Sequence, residues 1–334
     1  MMGVCPLIRF LASAAAIAIC LVRPFGGPVA QAGELKVVVT IKPIHALVAA
    51  VMQGAGTPRL LIEGSGSPHT FTLKPSDAKV LNEARVFFRV SEGLEPFTGK
   101  ILKSLPKTVQ VVTLESTPGL TLLNLRSSAT FEAHDHDAGK LKRGHNHAHD
   151  HAGAKPAAIG GSVDGHIWLD PANARLMVTA IAEVLATAAP EHAQLFRSNA
   201  GALDKRLEQL DGEIQSALAP MAGKPYIVFH DAYQYLESRY GLTPSGSVSI
   251  NPDVPPSVKR LTELRRKISG LKATCVFAEP QFAPKVIETI IEGTSARRGT
   301  LDPLGASLPA GPEHYPALMR ALAADLKSCL ANPS

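Results

Sequence analysis

Short β-branched runs alternate with helical segments along most of this chain, and that alternation limits the folds it can adopt. Leu35–Ile41 is an apolar run of strand length, and a helical segment from Pro43 to Met52 follows it. The rhythm continues to Leu114 and returns between Tyr226 and Glu279. Strands joined through helices form a mostly parallel sheet that is covered on both faces. The sequence therefore predicts an α/β protein with two lobes.

A long helical region lies between the two lobes. Pro171 begins one helical segment and Pro190 begins a second, whose apolar stripe keeps helical spacing as far as Leu218. Periodicity alone leaves two interpretations open: a rigid strut that joins the lobes, or an ordinary helix packed on the second lobe. The predicted organisation is a signal peptide at 1–32, an N-terminal lobe at 33–189, a linker helix at 190–219 and a C-terminal lobe at 220–334.

The first 32 residues have the features of a cleaved export signal. Arg9 supplies a positive flank, Leu11–Val22 is apolar apart from Ser13, and Ala30-Gln31-Ala32 is a small-x-small cleavage site. The apolar stretch of about 12 residues is shorter than the roughly 20 needed to span a bilayer, which disfavours a membrane anchor. We expect an exported protein without a lipid anchor.

Composition excludes other classes of protein. Hydrophobic residues make up 45% of the 334 residues and charged residues 19%, as in globular proteins and unlike disordered ones. The formal net charge is only +5 and long blocks of Lys or Arg are missing, so nucleic acid is not an expected partner.

Cleavage of the signal leaves two cysteines in the mature chain. Cys275 and Cys329 form an even pair in an oxidising compartment, which predicts a disulfide. Two free buried thiols are the alternative.

Histidine is concentrated in one stretch, which contains six of the 12 histidines of the chain. The stretch 132–162 is rich in Ala, Gly, His, Asp and Lys and has almost no large apolar residue, so we expect a mobile loop. Imidazole-rich loops bind zinc or copper weakly and at several places. The expected weak ligands are His134, His136, His145, His147, His149 and His151. A solubilising linker without a metal role is the alternative.

Three of the remaining histidines occupy positions from which a side chain reaches a ligand. His69 lies in a glycine-rich turn, His166 follows Gly165, and His230 ends an apolar strand. Residues at the carboxyl ends of parallel strands face the crevice where open α/β sheets bind ligands. The alternative for each of the three, taken singly, is an ordinary core or loop histidine that binds no ligand. We expect His192 and His314 to be exposed to solvent.

Five motifs in this order resemble those of the periplasmic solute-binding component of ABC-type zinc importers. They are Ser67–Asp77, Gly165–Pro171, Phe229–Tyr233, Phe277–Gln281 and Leu301–Leu304, within a match from about Val37 to Cys329. The resemblance implies two Rossmann-like α/β lobes joined by a long rigid helix, with one metal in the cleft between the lobes. It also implies a His-rich insertion before the second ligand histidine and, as in many zinc-importing relatives, a bridged cysteine pair.

The resemblance implies the metal ligands His69, His166, His230 and Asp302. Some relatives have an acidic residue directly before the first histidine, whereas Pro68 stands there in this chain, so Asp302 or water must complete the shell. Three imidazoles and one carboxylate favour tetrahedral Zn²⁺ over Mn²⁺. Glu279 is expected to form a structural ion pair or, alternatively, to orient a ligand imidazole. For His45 we expect a surface or supporting role rather than coordination.

The function that follows is capture of zinc in the periplasm and its delivery to the ABC permease of the inner membrane, by a monomer without enzymatic activity. The alternatives are a manganese-binding or adhesin-type relative, or an exported zinc hydrolase. Three histidines with an open position also hold catalytic zinc. A His-Glu-x-x-His motif, which would favour a hydrolase, is missing from the sequence.

Overall fold

A computed structural model describes residues 35–126, 163–249, 252, 256–271, 275–282 and 285–331. The expected signal peptide at 1–32 and the His-rich stretch at 132–162 lie outside these residues. Among the described helices, none combines the length and the apolar character that crossing a membrane requires.

The N-terminal lobe is built on a four-stranded parallel sheet. Its strands are β1 (Val37–Val39), β2 (Arg59–Leu60), β3 (Val86–Arg89) and β4 (Gln110–Thr113). They lie in the order β2-β1-β3-β4, with every neighbouring pair parallel. The central strands β1 and β3 are buried throughout and consist of Val and Phe apart from Arg89, because both faces of the sheet are covered.

The C-terminal lobe repeats this arrangement. Its strands are β5 (Tyr226–His230), β6 (Gly246–Ser249), β7 (Cys275–Ala278) and β8 (Arg297–Thr300). Their order is β6-β5-β7-β8, again with parallel neighbours. The carboxyl ends of β5, β7 and β8 therefore lie along one edge of this sheet, which is where ligand-binding loops of such sheets meet.

Helices connect and cover the strands. They are α1 (Lys42–Val51), α2 (Pro75–Asn82), α3 (Thr98–Ile101), α4 (Pro171–Ala188), α5 (Ala193–Leu218), α6 (Gln234–Tyr240), α7 (Val258–Leu271), α8 (Lys285–Ile291) and α9 (His314–Leu330). Local signals fix several boundaries. Asp170 caps α4 by accepting a hydrogen bond from the Ala172 amide, and Gly241 ends α6 in the left-handed region with φ of 66°.

The long helix α5 is packed along its length and is not an isolated strut. Its buried stripe runs from Phe196 to Leu218 and contacts α4, α1 and α9. Helix α9 in turn packs against β8. The expected fold, two α/β lobes with a long helix between them, is confirmed.

One apolar core extends through both lobes. It includes Val39 of β1, Leu47 of α1, Leu207 of α5, Val228 of β5 and Leu322 of α9. Separate, smaller clusters cover the outer face of each sheet. The disulfide between Cys275 and Cys329 is present and links the start of β7 to α9, as expected, with the two Cα atoms 6.1 Å apart.

Candidate metal centre

His230 is the last residue of β5, the strand at the centre of the C-terminal sheet. The preceding residues Tyr226–Phe229 are buried and apolar, so the strand is rigid up to the histidine. The ring leaves the sheet at its carboxyl edge and is 3% exposed. This is the position that the strand pattern predicted.

His166 precedes a single 3-10 turn, Ile167–Leu169, which leads into α4. The residue before it must be glycine because the backbone packs closely here. A Cβ atom on Gly165 would lie 2.8 Å from the Cβ atom of Leu94 and 3.2 Å from the Oγ atom of Ser91. Trp168, two residues beyond the histidine, donates from Nε1 to the carbonyl oxygen of Pro303 at 2.9 Å. The segment that carries His166 is thus attached to the C-terminal lobe.

His69 lies in the loop between β2 and α2, outside regular secondary structure. Gly64 begins the turn in the left-handed region with φ of 64°, and the His69 amide donates to the Oγ atom of Ser67 at 3.3 Å. The Nε2 atom of His69 is buried and has no hydrogen-bond partner among the described residues. A buried nitrogen without a partner is costly unless a ligand occupies it.

The fold brings these three histidines together. One ring nitrogen from each of His69, His166 and His230 lies within 4.8 Å of the other two. The Nε2 atoms of His166 and His230 are 3.4 Å apart. Two nitrogens bound to one tetrahedral Zn²⁺ at about 2.05 Å are separated by roughly 3.3 Å. The spacing of the His166 and His230 nitrogens therefore matches that of two ligands of one zinc ion.

Carboxylates orient two of the rings in the same way. The Oδ1 atom of Asp164 accepts from the amide and from Nδ1 of His166, at 3.0 and 2.7 Å. The Oε1 atom of Glu279 accepts from the amide and from Nδ1 of His230, at 3.4 and 2.7 Å. Since Nδ1 carries the proton in each bond, the lone pair of Nε2 is free to face a metal. Glu279 therefore orients an imidazole, which was the alternative to the structural ion pair expected from the sequence.

The surroundings shift the pKa values of two histidines in opposite directions. Burial, together with the nearby rings of His166 and His230, holds the pKa of His69 well below its ordinary value. Burial is the strongest single influence on His230 and acts to lower its pKa, but the charge and hydrogen bond of Glu279, together with the charges of Asp164 and Asp231, raise it overall. His69 is consequently neutral and ready to coordinate, whereas His230 competes with a proton.

A cleft opens onto the three rings. Its walls include the apolar side chains of Trp168, Phe282, Pro303 and Leu304, which come from both lobes. Apolar walls exclude water and strengthen the interaction between a cation and its ligands.

Asp302, the fourth predicted ligand, is not brought into this group. It follows β8, and its carboxylate accepts hydrogen bonds from four donors: Gln281 Nε2 and the amides of Leu304, Gly305 and Ala306. The loop is also held from α1, where Lys42 Nζ donates to the carbonyl oxygens of Ala306 and Leu308 at 2.7 and 3.1 Å. In this conformation Asp302 organises its own loop.

Two other histidines differ from expectation. His314 was expected in solvent but is 2% exposed, because it begins α9 and its ring nitrogens lie 2.9 and 3.1 Å from the carbonyl oxygens of Leu304 and Pro309. His45 is buried in α1 with Nε2 3.0 Å from the carbonyl oxygen of Pro58, so a surface role is wrong. Neither joins the group of His69, His166 and His230.

Comparison with known proteins agrees with this arrangement. A family profile described as "ZnuA: Zinc-uptake complex component A periplasmic" matches residues 37–329. The chain is 44% identical over 311 residues to the "High-affinity zinc uptake system protein ZnuA" of Brucella suis, covering 90% of this chain and 93% of that protein.

Two solved structures have the same fold. One is described as the crystal structure of ZnuA, with a TM-score of 0.72, 23% identity, and coverage of 89% of this chain and 99% of that one. The other is the laminin-binding protein Lmb of Streptococcus agalactiae, described as a bifunctional protein with adhesin and metal-transporting activity. It has a TM-score of 0.67 and 26% identity, and covers 88% of this chain and 100% of that one. The family match spans both lobes and all three histidines, and the chain therefore belongs to the ZnuA family of periplasmic zinc-uptake components.

Proposed function

We propose that this protein captures Zn²⁺ in the periplasm and hands it to an ABC permease in the inner membrane. The observation that carries the proposal is the convergence of three imidazoles, of which those of His166 and His230 are buried and have Nε2 atoms separated by 3.4 Å. Folding has already paired the Nδ1 atoms of His166 and His230 with carboxylates, so little further ordering of these two rings is needed when the ion binds. Family membership supports the same role.

The donor set favours zinc over harder cations. Neutral imidazole is a preferred ligand of Zn²⁺, whereas Mn²⁺ favours sites rich in carboxylate and carbonyl oxygen. A carboxylate at the position of His230 would give the oxygen-rich alternative. The manganese-binding alternative is disfavoured for that reason.

The fourth coordination position goes to Asp302 or to water. Asp302 becomes a ligand only if its carboxylate exchanges some of its four present hydrogen bonds for the metal. Water requires no such rearrangement. We infer a centre in which His69, His166 and His230 supply the affinity and Asp302 contributes less.

The proposed role is binding and release without a chemical step. A catalytic zinc site keeps an open position together with a general base placed to activate water. Asp164 and Glu279 are instead engaged by the Nδ1 atoms of ligand histidines. The hydrolase alternative is disfavoured because both carboxylates already have this orienting role.

Other features of the proposal come from the sequence. We infer export through the signal at 1–32, a monomeric mature chain, lobes at 33–189 and 220–334, and a linker at 190–219. The six histidines between His134 and His151 lie outside the described residues. We infer that they bind additional zinc weakly, and deletion of 132–162 should remove only the weak binding events from a zinc titration.

A zinc titration of the purified mature chain tests the main proposal. Competition against a chelator of known affinity should show one tight site per chain. His230→Ala should abolish it, because one of three assembled ligands is lost. His192→Ala is the matched control, since His192 lies outside the group and should leave the tight site unchanged.

The permease requires its own assay. Cells that lack this protein should take up zinc poorly at low external concentration, and the wild-type chain should restore uptake while His230→Ala does not. Full uptake with the His230→Ala chain would contradict the proposal.

A further inference from the structure

Asp164 stands at the centre of a hydrogen-bond network that extends beyond the three histidines. Its Oδ1 atom accepts from the ring and amide of His166, and its own amide donates to the carbonyl oxygen of Leu123 at 2.8 Å. The residue is 1% exposed. Its remaining acceptors, Oδ2 and the carbonyl oxygen, are satisfied by side chains from the other lobe.

Those side chains are the first two residues of α6. Gln234 Nε2 donates to Oδ2 of Asp164 at 3.2 Å, and the hydroxyl group of Tyr235 donates to the carbonyl oxygen of Asp164 at 2.8 Å. Tyr235 is 1% exposed. Both the main chain and the side chain of Asp164 are therefore held from the C-terminal lobe.

The same two side chains hold a second segment of the N-terminal lobe. Gln234 Nε2 also donates to the carbonyl oxygen of Asn124 at 3.0 Å, and the Tyr235 hydroxyl accepts from the Leu123 amide at 3.0 Å. Asn124 forms an antiparallel bridge with Val163. Each side chain thus connects two segments of the N-terminal lobe, one at Leu123 and Asn124 and the other at Val163 and Asp164.

We propose that Gln234 and Tyr235 are positioning residues for zinc capture, which fix Asp164 and through it the ring of His166. The inference rests on the proposed function and adds two residues that do not touch the metal. Without Gln234, the Asp164 carboxylate loses the donor to Oδ2, and only the two hydrogen bonds at Oδ1 still restrain its terminal torsion. The bond from His166 Nδ1 then no longer has one fixed direction, and Nε2 points toward the metal for a smaller fraction of the time.

A purely structural role for these residues predicts a different pattern. If Gln234 and Tyr235 only joined the lobes, their loss would lower the melting temperature. Zinc affinity would then decrease only in proportion to the loss of stability. A positioning role instead requires that the effect pass through Asp164. Removing the Asp164 carboxylate should then make the Gln234 substitution nearly silent.

The test uses the full chain and zinc competition against a chelator of known affinity, with the melting temperature of the metal-free protein measured alongside. Gln234→Ala and Tyr235→Phe should each weaken zinc binding by about tenfold, the lower end of the effect of removing an outer-shell partner. Tyr240→Phe is the matched control. It lies in the same helix and loses one hydrogen bond to a carboxylate, from its hydroxyl to Asp211 Oδ1, away from the three histidines.

The double variant decides between the two roles. Gln234→Ala should cost about tenfold in the wild-type background and less than about twofold in an Asp164→Asn background. Equal losses in both backgrounds, or wild-type affinity in Gln234→Ala and Tyr235→Phe, would overturn the inference while leaving the proposed function intact. A wild-type chain that bound no zinc would overturn the proposed function and the inference with it.

Discussion

The Nε2 atoms of His166 and His230 lie 3.4 Å apart, although the two residues are 64 positions apart in the chain. On the far side of each ring Nδ1 donates a hydrogen bond to a buried carboxylate, which belongs to Asp164 in one case and to Glu279 in the other. The two imidazoles are thus oriented by their surroundings before a metal arrives. Affinity at such a site depends on the carboxylates as well as on the ligands.

Glu279→Gln should weaken zinc binding by about tenfold or more, because the amide still accepts a hydrogen bond but no longer carries the charge that favours a coordinating His230. Glu288→Gln is the control, since Glu288 lies on the surface and pairs with Arg298. Competition titration of both variants measures the effect. Equal affinities would show that the charge of Glu279 does not contribute to zinc binding.

Asp302→Ala should weaken zinc binding much less than His230→Ala, because Asp302 lies outside the group of three histidines and water can occupy the fourth position. The same titration gives both affinities. Equally complete loss in the two variants would show that Asp302 moves into the coordination shell and is indispensable there. Asp302→Asn, which retains part of the hydrogen bonding to the loop, separates ligand loss from disruption of the loop.

Zinc affinity should fall with decreasing pH from a point above pH 6.5. Zinc requires neutral imidazole, and the raised pKa of His230 means that this residue gains its proton first as the pH falls. The lowered pKa of His69 confines its own protonation to more acidic solutions. The expected slope is about tenfold per pH unit below the pKa of His230.

Glu279→Gln tests whether His230 is the residue that gains the first proton as the pH falls. Because the charge of Glu279 raises the pKa of His230, its removal should move the onset of the decline to lower pH. If zinc affinity begins to fall at the same pH in the variant, a residue other than His230 gains the proton.

Replacing both Cys275 and Cys329 by Ser should lower the free energy of unfolding by about 4 kcal/mol, the chain-entropy value for a loop closed across 54 positions. Zinc affinity should not change, since Cys275 begins β7 while Glu279 follows the opposite end of that strand. Chemical denaturation with and without reductant measures the effect. Reductant should destabilise the wild-type chain and leave the variant unaltered.

Strands with apolar β-branched runs were predictable, and the edge strands of the C-terminal sheet were not. The runs at Val37–Val39 and Tyr226–His230 are buried on both faces and carry a clear pattern. The edge strands Gly246–Ser249 and Arg297–Thr300 have glycine, serine or arginine in place of such a run, so nothing in their composition distinguishes them from loops. Only pairing with β5 and β7 makes them strands.

The three histidines that meet at the site were predictable, and of the residues that orient them only Glu279 was named from the sequence, as an alternative. His69, His166 and His230 came from motif resemblance, and His230 also from its place at a strand end. Asp164 had one usable signal, its position two residues before His166, whereas Gln234 contacts it across 70 positions. Contacts of that range depend on how the lobes dock, which periodicity does not encode.

The apolar core that joins β1, α1, α5, β5 and α9 has a thermodynamic consequence. A molecule whose two sheets share one core cannot lose one lobe without exposing the apolar surface of the other, so melting should occur in a single cooperative transition. Zinc held between the lobes would then raise the melting temperature of the whole chain by mass action. Calorimetry should show one heat-absorption peak that moves upward with zinc and does not split.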